Sequence, residues 1–306
     1  MSTILAPTST AELATIVRES IAVNCALAIQ GARTWPLALA RASATATPLS
    51  LHMISGIVEY VPGDLTLTAR AGTTLAEIEA ATRANGQWCP LLPWGTDNGT
   101  LGATFATATT GPFRAALGAP RDLALGLEFV DGTGATARGG GRVVKNVAGF
   151  DLTRLMVGSW GTLGVITEVS IRLRARPAVD QTIAVQCDVD DLTVLARIDA
   201  FRRGPYVPLA CECIGAAHAM TLGLGEARLL VRVGGNAAFV AESVRRLGEL
   251  GAVEAHAPEL WAHYREHDPY RRHFTDAYAT PLAARVKRKF DPHGILNPNV
   301  LGEVAS

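Results

Sequence analysis

The stretch GSWGTLGVITE, residues 158–168, places Gly158, Gly161 and Gly164 three positions apart and directly before an apolar, β-prone run. Glycines beside a strand indicate a nucleotide site, because backbone N–H groups can approach a phosphate or a flat ring where no Cβ intervenes. The dinucleotide-binding fingerprint, however, runs in the order strand, glycines, helix. Here the glycines precede the strand, so the stretch indicates either a nucleotide site with another chain order or an ordinary turn.

The composition is that of a folded protein with room for two domains. The chain has 306 residues, of which 48% are hydrophobic and 18% charged, and domains commonly hold roughly 100 to 200 residues. Its 28 basic and 28 acidic side chains balance, so no overall field attracts nucleic acid or an anionic membrane. We therefore expect action on a small molecule or assembly with other proteins, and no nucleic-acid partner.

The sequence shows neither a targeting segment nor a membrane span. Its start, MSTILAPTSTAEL, lacks the basic region and long apolar core of a signal peptide, and no run reaches the roughly 18 apolar residues of a membrane helix. The five cysteines lack the spacing of a zinc site or of a secreted disulfide framework. We expect a cytoplasmic protein with reduced thiols, whose association with a membrane would come through partners.

Two capping boxes predict helices in the N-terminal half. STAE from Ser9 precedes apolar residues at helical spacing, which predicts a helix near residues 10–21. TLAE from Thr74 opens a second helix, which Asn85-Gly86 ends through a left-handed cap.

Alternating runs predict strands around these helices. The run ALAI leads into a glycine-bearing turn at Gly31, and two further strands flank Pro62-Gly63-Asp64. LALGLEFVDGTGATAR is typical of a β-hairpin with its turn at Asp131-Gly132. After a short helix in DLTRLMVGS, a half-buried strand is predicted with one apolar face formed by Val165, Val169, Ile171 and Leu173.

Residues 90–118 are rich in Gly, Thr, Pro and Ala and carry almost no charge. The low side-chain bulk indicates a backbone pressed against something large and flat. Residues 180–260 then interleave strands and helices, which predicts a small α+β sandwich. The chain ends in a basic helix, PLAARVKRKF, and a compact turn, DPHGILNPN.

Three glycine-bearing turns belong together. The tetrapeptide GTLG occurs at Gly99 to Gly102 and again at Gly161 to Gly164, and Gly31 supplies a third turn. Any one of them is compatible with an ordinary turn. Their joint pattern predicts one extended ligand that the backbone contacts from three places.

Three longer segments carry a family resemblance: residues 145–177 (KNVAGFDLTRLMVGSWGTLGVITEVSIRLRARP), residues 69–87 (ARAGTTLAEIEAATRANGQ) and the ending KFDPHGILNPN. They closely resemble the FAD-binding, E-type subunits of bacterial glycolate oxidase and, more broadly, the vanillyl-alcohol oxidase class of flavoproteins with a PCMH-type FAD domain. The resemblance covers about residues 10–177 and 280–300.

The resemblance implies an α+β fold: a two-subdomain PCMH-type FAD-binding domain over residues 1–177, a reduced α+β cap domain over 178–275, and a C-terminal segment over 276–306 that returns to the FAD domain. It also implies FAD in an extended pose between the two subdomains. No His or Cys occurs in residues 31–35 to form a covalent flavin link, so we expect non-covalent FAD.

The resemblance assigns cofactor-binding residues to three groups. The pyrophosphate would lie on the first turn, the flavin along the second group, and the adenine half near the third. In that order the residues are Gly31, Ala32, Arg33 and Thr34; Gly102, Thr104 and Thr107; and Gly164, Val165 and Ile166. Gly99, Thr100 and Gly161 of the two GTLG turns are further predicted cofactor-binding residues. Ala32 and Arg33 replace the small residues usual in the family's first turn, and Ala108 and Thr110 stand where catalytic relatives often have Asn and Gly.

By resemblance the chain helps to oxidise glycolate or a related 2-hydroxy acid to the 2-oxo acid. It would work beside a homologous catalytic flavin subunit and an iron–sulfur subunit that accepts electrons. The chain itself lacks a cysteine cluster for iron–sulfur ligation, and the short cap leaves no assignable catalytic base. The alternative is a non-catalytic scaffold that stabilises the catalytic flavin subunit; a stand-alone oxidase is less favoured because no acid/base pair is evident.

Four further groups keep two interpretations each. His263 and His267 have the i, i+4 spacing of metal ligands or lie on a solvated helix face. Cys211 and Cys213 point the same way on a strand, as metal ligands or as packed small residues. The third group is the cationic run Arg285, Lys287, Arg288 and Lys289, which either contacts an acidic partner or lies on a solvated helix face. The fourth is the pair Lys145 and Arg154, which flank the short helix and could steer an anionic substrate or phosphate.

Overall fold

The computed structural model describes residues 4–33, 45–141, 150–266 and 280–302. The N-terminal unit contains helix α1, Thr10–Ala22, and a parallel pair of strands, β1 (Leu27–Gln30) and β2 (Thr47–Ser50). Single β-bridges extend this pair at both edges, from Leu5 to β2 and from Leu296 near the C-terminus to β1. The C-terminal segment thus returns to the first unit, as the resemblance implied.

The second unit is built on a five-stranded antiparallel sheet with the order β3-β4-β8-β6-β7. A short antiparallel pair, β5 and β9, lies beside it. In chain order the elements are β3 Ile57–Val61, the 3-10 turn Pro62–Asp64, β4 Thr66–Arg70, α2 Leu75–Arg83, β5 Gln87–Trp88, α3 Leu101–Thr107, α4 Arg114–Leu117, α5 Pro120–Leu123, β6 Ala124–Asp131, β7 Thr136–Gly140, α6 Leu152–Met156, β8 Gly164–Arg172 and β9 Arg174–Ala175.

Both predicted helix starts are confirmed, with one difference. At α2 the box is complete: the Thr74 hydroxyl accepts from the Glu77 N–H at 3.1 Å, and the Thr74 N–H donates to the Glu77 carboxylate at 2.7 Å. At α1 the Ser9 hydroxyl caps the Glu12 N–H, but the Glu12 carboxylate accepts from Thr8 instead of Ser9. Gly86 follows α2 with φ of +62°, the left-handed conformation that the sequence predicted.

A β-bulge in β8 corrects the predicted faces of this strand. Along the β6–β8 pair, Glu128 faces Glu168 but Phe129 faces Ile166, so Thr167 is the extra residue. The bulge shifts the alternation, and Ile166 rather than Val165 shares the face of Val169. The prediction that Val165 lies with Val169 was therefore wrong, and β8 is buried on both sides at its start.

The two faces of this sheet border two different cores. One core contains Ile166, Phe129 and Phe105 and is covered by α2 and α3. The other contains Val165 and Val130 and packs on α1, β1, β2 and the C-terminal segment. Because both cores meet at the start of β8, this strand joins the two subdomains.

The third unit is a four-stranded antiparallel sheet with the order β11-β12-β10-β13. Its sandwich of strands and helices confirms the α+β architecture predicted for residues 180–260. In chain order the elements are β10 Val179–Gln186, α7 Leu192–Arg203, β11 Ala210–Ile214, α8 Ala216–Thr221, β12 Arg228–Gly235, α9 Ala237–Leu247, β13 Ala252–His256 and α10 Leu260–Glu266; α11, Pro281–Phe290, follows in the returning segment.

One face of the third sheet packs on α7 and α9, and the other packs on the bulk-poor segment of residues 90–118. Trp88 and Phe113 enter this second core together with Trp261 and Tyr264. Residues 90–118 meet the third sheet through their larger side chains, namely Leu92, Trp94, Phe113 and Leu117, whereas residues 101–107 form helix α3 at another place. Among the helices of the described residues, none is both long enough and apolar enough to cross a membrane.

Candidate functional site

A cleft lies where the two N-terminal subdomains meet. It encloses about 810 Å³ including its solvent-open mouth. Four parts of the chain form its walls: the end of β1 with the following turn, the first turns of α3, the turn before β8, and the C-terminal segment. The walls carry mostly small or apolar side chains, which suits a broad flat ligand rather than a hydrated ion.

The first wall is the turn that follows β1, from Gly31 to Arg33. A Cβ added to Gly31 would lie 2.4 Å from the Thr100 hydroxyl, so this turn approaches α3 as closely as only glycine permits. Arg33 has φ of +59°, and its Nε donates to Gln30 Oε1 at 3.0 Å. The turn therefore has a defined conformation, with exposed peptide groups at the cleft.

The second wall is helix α3, which begins where the Thr100 hydroxyl accepts from the Ala103 N–H at 3.3 Å. Gly102 packs on the end of β4, where an added Cβ would lie 2.5 Å from the Ala71 Cβ. The missing side chain thus brings the helix against the sheet and leaves its other side to the cleft. The first GTLG tetrapeptide is accordingly a helix start, whereas the second is a turn.

The third wall is the turn from Ser159 to Gly164. Trp160 and Gly161 have φ of +54° and +70°. A positive φ at a residue as bulky as tryptophan is rare and is found at sites that the surroundings hold in place. The Trp160 N–H donates to the Ala106 carbonyl at 2.8 Å, so α3 and this turn are joined directly.

The C-terminal segment forms the fourth wall of the cleft. Asn297 Oδ1 accepts from the Ile29 N–H at 2.6 Å, and Asn297 Nδ2 donates to the Trp160 carbonyl at 2.7 Å. One side chain therefore bridges the first wall and the third. Val300 lines the same side of the cleft.

The structure brings most of the predicted residues to this cleft. Those that line it are Gly31, Ala32, Arg33, Thr100, Gly102, Thr107, Gly161, Val165 and Ile166. Gly99, Thr104 and Gly164 lie behind the surface: the Gly99 carbonyl accepts from α2, the Thr104 hydroxyl donates to the Thr100 carbonyl, and Gly164 pairs with β6. Thr34 is outside the described residues.

Sequence reasoning missed the residues that connect these walls. Trp160 lies inside the quoted stretch but drew no prediction, since its φ is not visible in a sequence. Asn297 lies in the DPHGILNPN turn and Lys287 in the cationic run. Lys287 falls among the apolar positions of α11, at helical spacing from Ala283 and Phe290, and this was the one signal that it is buried.

The chemistry of the described lining is that of binding rather than proton transfer. Arg33 is the one charged side chain among the lining residues that the structure describes, and these include no carboxylate, imidazole or thiol. Gln30 Nε2 is buried at the wall, and within the described parts of the chain it has no hydrogen-bond partner. A buried donor without a partner costs about 1 to 3 kcal/mol, so it fits a site that a polar ligand completes.

The remaining candidates stand apart from the cleft lining. Arg154 pairs with the neighbouring Asp151, whereas Lys145 and His267 lie outside the described residues. Burial raises the pKa of the Cys211 thiol to about 12, so this thiol stays protonated. Across residues 4–33, 45–141, 150–266 and 280–302, no group of three or more His, Cys, Asp or Glu side chains is placed to hold a metal ion.

Parts of this sequence match a family model and several known proteins. Residues 1–140 match the family model described as an FAD binding domain. Over 163 residues the chain is 42% identical to the Escherichia coli glycolate oxidase subunit GlcE, covering 53% of this chain and 46% of that protein. Over 132 residues it is 36% identical to the Bacillus subtilis glycolate oxidase subunit GlcD, covering 43% of this chain and 28% of that protein.

A third relative and the solved structures extend the match. Over 171 residues the chain is 32% identical to a D-2-hydroxyglutarate dehydrogenase of Xanthomonas citri, covering 56% of this chain and 36% of that protein. The chain thus spans half or less of the length of these relatives. A structure of alkyldihydroxyacetonephosphate synthase superposes with a TM-score of 0.69 at 17% identity, over 86% of this chain and 53% of that one.

The family match agrees with the sequence motifs, and the structural likeness concerns the fold alone. They confirm the mixed α+β fold with antiparallel sheets and the family resemblance of the sequence motifs. Residues 1–140 of the chain therefore match an FAD binding domain, and the rest of the chain lies outside that match.

Proposed function

We propose that this chain is the FAD-binding subunit of an oxidoreductase that converts glycolate or a related 2-hydroxy acid to the 2-oxo acid. The cleft between the subdomains carries this proposal: its small-residue walls and exposed peptide groups suit a flat ring system with a phosphate-bearing tail. The substrate class rests on the names of the relatives, which are a glycolate oxidase subunit and a 2-hydroxyglutarate dehydrogenase.

The residues that line the cleft would divide the cofactor between them. Peptide groups of Gly31 to Arg33 would hold the pyrophosphate, with the Arg33 guanidinium as the nearby cation. Thr100, Gly102 and Thr107 would lie along the flavin, and the main chain near Val165 would contact the adenine half. No His or Cys lies in residues 31–35, so the FAD would be held without a covalent bond.

When bound, FAD supplies the acceptor for the hydride of the substrate. The protein must also bind the carboxylate and remove the hydroxyl proton. The described cleft lining offers a cation but no proton acceptor, so the base would come from another part of the chain or from a partner.

The need for a proton acceptor and for an electron acceptor suggests partner subunits. We propose a homologous catalytic flavin subunit and an iron–sulfur subunit, because the relatives are named as subunits and this chain has no cysteine cluster for an iron–sulfur centre. The proposed boundaries remain 1–177 for the FAD domain, 178–275 for the reduced cap and 276–306 for the returning segment.

A second candidate function is a non-catalytic scaffold that stabilises the catalytic flavin subunit. The lack of a proton acceptor in the described lining favours it. In that case FAD would be structural or absent.

Two titrations separate these functions. The purified chain is first reconstituted with FAD, and a bound flavin spectrum is expected; its absence would refute the cofactor. Glycolate, D-lactate or D-2-hydroxyglutarate is then added without oxygen, to the chain alone and to the complex purified from its host. Because the catalytic flavin subunit would bleach its own flavin under either function, the number of flavins reduced per complex decides between them. Reduction of every bound flavin in the complex, without bleaching of the isolated chain, supports a subunit whose base lies in a partner. A flavin of this chain that stays oxidised while the catalytic subunit's flavin bleaches supports the scaffold.

The mode of attachment has its own test. Acid precipitation of the holoprotein should release all yellow colour into the supernatant. Colour that stays with the pellet would show a covalent link.

A further inference from the structure

We propose that Lys287 is a positioning residue of the cofactor cleft: through the C-terminal segment, it sets the position of the turn before β8 relative to β1. This inference rests on the proposed binding of FAD in the cleft. Lys287 itself does not line the cleft, so its effect would be transmitted through the groups that it binds.

Lys287 is buried, with 4% of its surface exposed. Its Nζ donates to the Thr162 carbonyl at 2.7 Å, to the Leu296 carbonyl at 3.1 Å and to Asp291 Oδ2 at 2.5 Å. All three donor positions of the ammonium are therefore used. Burial lowers the pKa of Lys287, and Asp291 opposes this effect.

Asp291 continues the network into the last segment. Its two carboxylate oxygens accept from the Ile295 and Leu296 N–H groups at 3.1 and 2.9 Å. These bonds fold the DPHGIL turn so that Leu296 pairs with β1 and Asn297 reaches both walls. Lys287 thus touches the second GTLG turn on one side and the segment that carries Asn297 on the other.

The two contacts have a common geometric result. Thr162 follows Gly161 in the third wall, and Leu296 precedes Asn297, which is hydrogen-bonded to Ile29 in the first wall. The Lys287 ammonium binds the carbonyls of Thr162 and Leu296, which are 134 residues apart in the chain. It therefore fixes the distance between the two segments that carry them. Because an extended ligand must contact both walls at once, a change in this distance weakens its binding even if the fold persists.

The test uses two variants with matched controls. Lys287→Met removes the ammonium and retains the buried stem, and Lys289→Met, on the exposed side of the same helix, is its control. Asn297→Gly removes the bridge between the walls without strain, because Asn297 has φ of +43°; Asn299→Gly, at an exposed position with φ of +69°, is its control.

The readouts are the FAD dissociation constant, the visible spectrum of bound flavin and the melting temperature of the apoprotein, all for the full chain. We expect Lys287→Met and Asn297→Gly to raise the dissociation constant about tenfold or more at a temperature where circular dichroism shows native secondary structure, and to shift the flavin band. Both controls should bind FAD like the wild type.

Two results would overturn the proposal. One is a lower melting temperature with unchanged FAD affinity and spectrum in Lys287→Met, which would make the lysine purely structural. If Lys287→Met does not fold, wild-type affinity in Asn297→Gly overturns it instead. Failure of the wild-type chain to bind FAD would refute the proposed function, and is thus distinguishable from either result.

Discussion

Gly31 is the residue whose replacement should act most locally on the cleft. An added Cβ would meet the Thr100 hydroxyl at 2.4 Å and the Ala103 Cβ at 3.3 Å, so Gly31→Ala must move the turn away from α3. We expect its FAD dissociation constant to rise roughly tenfold, which corresponds to about 1.4 kcal/mol. Gly63→Ala, where an added Cβ meets nothing within 4 Å, is the control for equilibrium binding; equal affinities in the two variants would contradict the prediction.

Gln30 tests whether a ligand completes the wall. Its Nε2 is buried and has no partner in the described part of the chain. Gln30→Met removes this donor and also the oxygen that accepts from Arg33 Nε, so the two effects on stability offset and the apoprotein should melt near the wild-type temperature, while FAD affinity falls roughly tenfold. Calorimetric titration with FAD and a melting curve measure the two effects. A destabilised apoprotein with wild-type FAD affinity would show that the amide serves the fold alone.

The sequence predicted which residues surround the cleft better than it predicted which residues hold them there. Glycines indicate places where the backbone approaches another group closely, so the sequence predicted that Gly31 and Gly161 lie at the cleft. Lys287 lies among three other cations, and charge usually means solvent. Its helical spacing from Ala283 and Phe290, and in the structure its acceptors from two distant turns, distinguish it from the exposed Lys289.

At the scale of elements, Glu128 joins four parts of the N-terminal half. Its carboxylate accepts from the Thr10 hydroxyl of α1 at 3.0 Å, from the Thr167 hydroxyl at the β8 bulge at 2.8 Å, and from Arg138 Nε of β7 at 2.8 Å. Burial by itself raises the pKa of Glu128. The three hydrogen bonds and the charge of Arg138 lower it by more, so the pKa lies below its ordinary value of 4.5.

A lowered pKa in the folded state means that Glu128 contributes stability above the pKa of the unfolded chain and loses it as the pH falls through the folded pKa. Glu128→Gln should therefore lower the free energy of unfolding by about 1 kcal/mol at pH 7. The difference from the wild type should shrink below about pH 4.5. Urea titrations across this range measure it; a difference that persists at pH 3 would contradict the assignment.

The elements themselves follow from local sequence, except where a strand departs from simple alternation. Both helix starts, the capping box at Thr74, the Asp131-Gly132 hairpin and the strands of the third sheet were predicted correctly, because each depends on neighbouring residues. The bulge at Thr167 was not predicted, because it arises from pairing with β6, a long-range contact. It decides which core receives Val165 and which receives Ile166.

At the scale of the whole molecule, one cluster of side chains joins the second unit to the third. Arg232 of β12 binds Asp180 through two bonds of 2.8 and 2.7 Å and lies over the rings of Trp88 and Phe113, at 5.6 and 5.1 Å. Arg232→Met should destabilise the chain by roughly 2 kcal/mol, because it removes two charge-assisted hydrogen bonds to Asp180 and the contacts of a buried guanidinium with two aromatic rings.

The measurement is urea unfolding followed by tryptophan fluorescence and by circular dichroism. Arg245→Met, in an exposed ion pair of α9, is the control and should leave the stability close to that of the wild type, because solvent screens the pair. If Arg232→Met matched this control, the junction would contribute little to stability.

The architecture was predictable as a whole, since the motifs pointed to one family and the family match confirmed it. The arrangement of the bulk-poor segment was predicted only in part. Its low side-chain bulk predicted a large flat neighbour, but the side chains that meet the third sheet are its larger ones, Leu92, Trp94, Phe113 and Leu117, so the low bulk did not reveal this contact.

Binding of FAD is the central claim, and equilibrium titration of the purified apoprotein with FAD tests it most directly. We expect a bound flavin spectrum, a stoichiometry of about one FAD per chain and an affinity that Gly31→Ala weakens while Gly63→Ala does not. A chain that stays colourless after reconstitution, with native circular dichroism, would contradict the account.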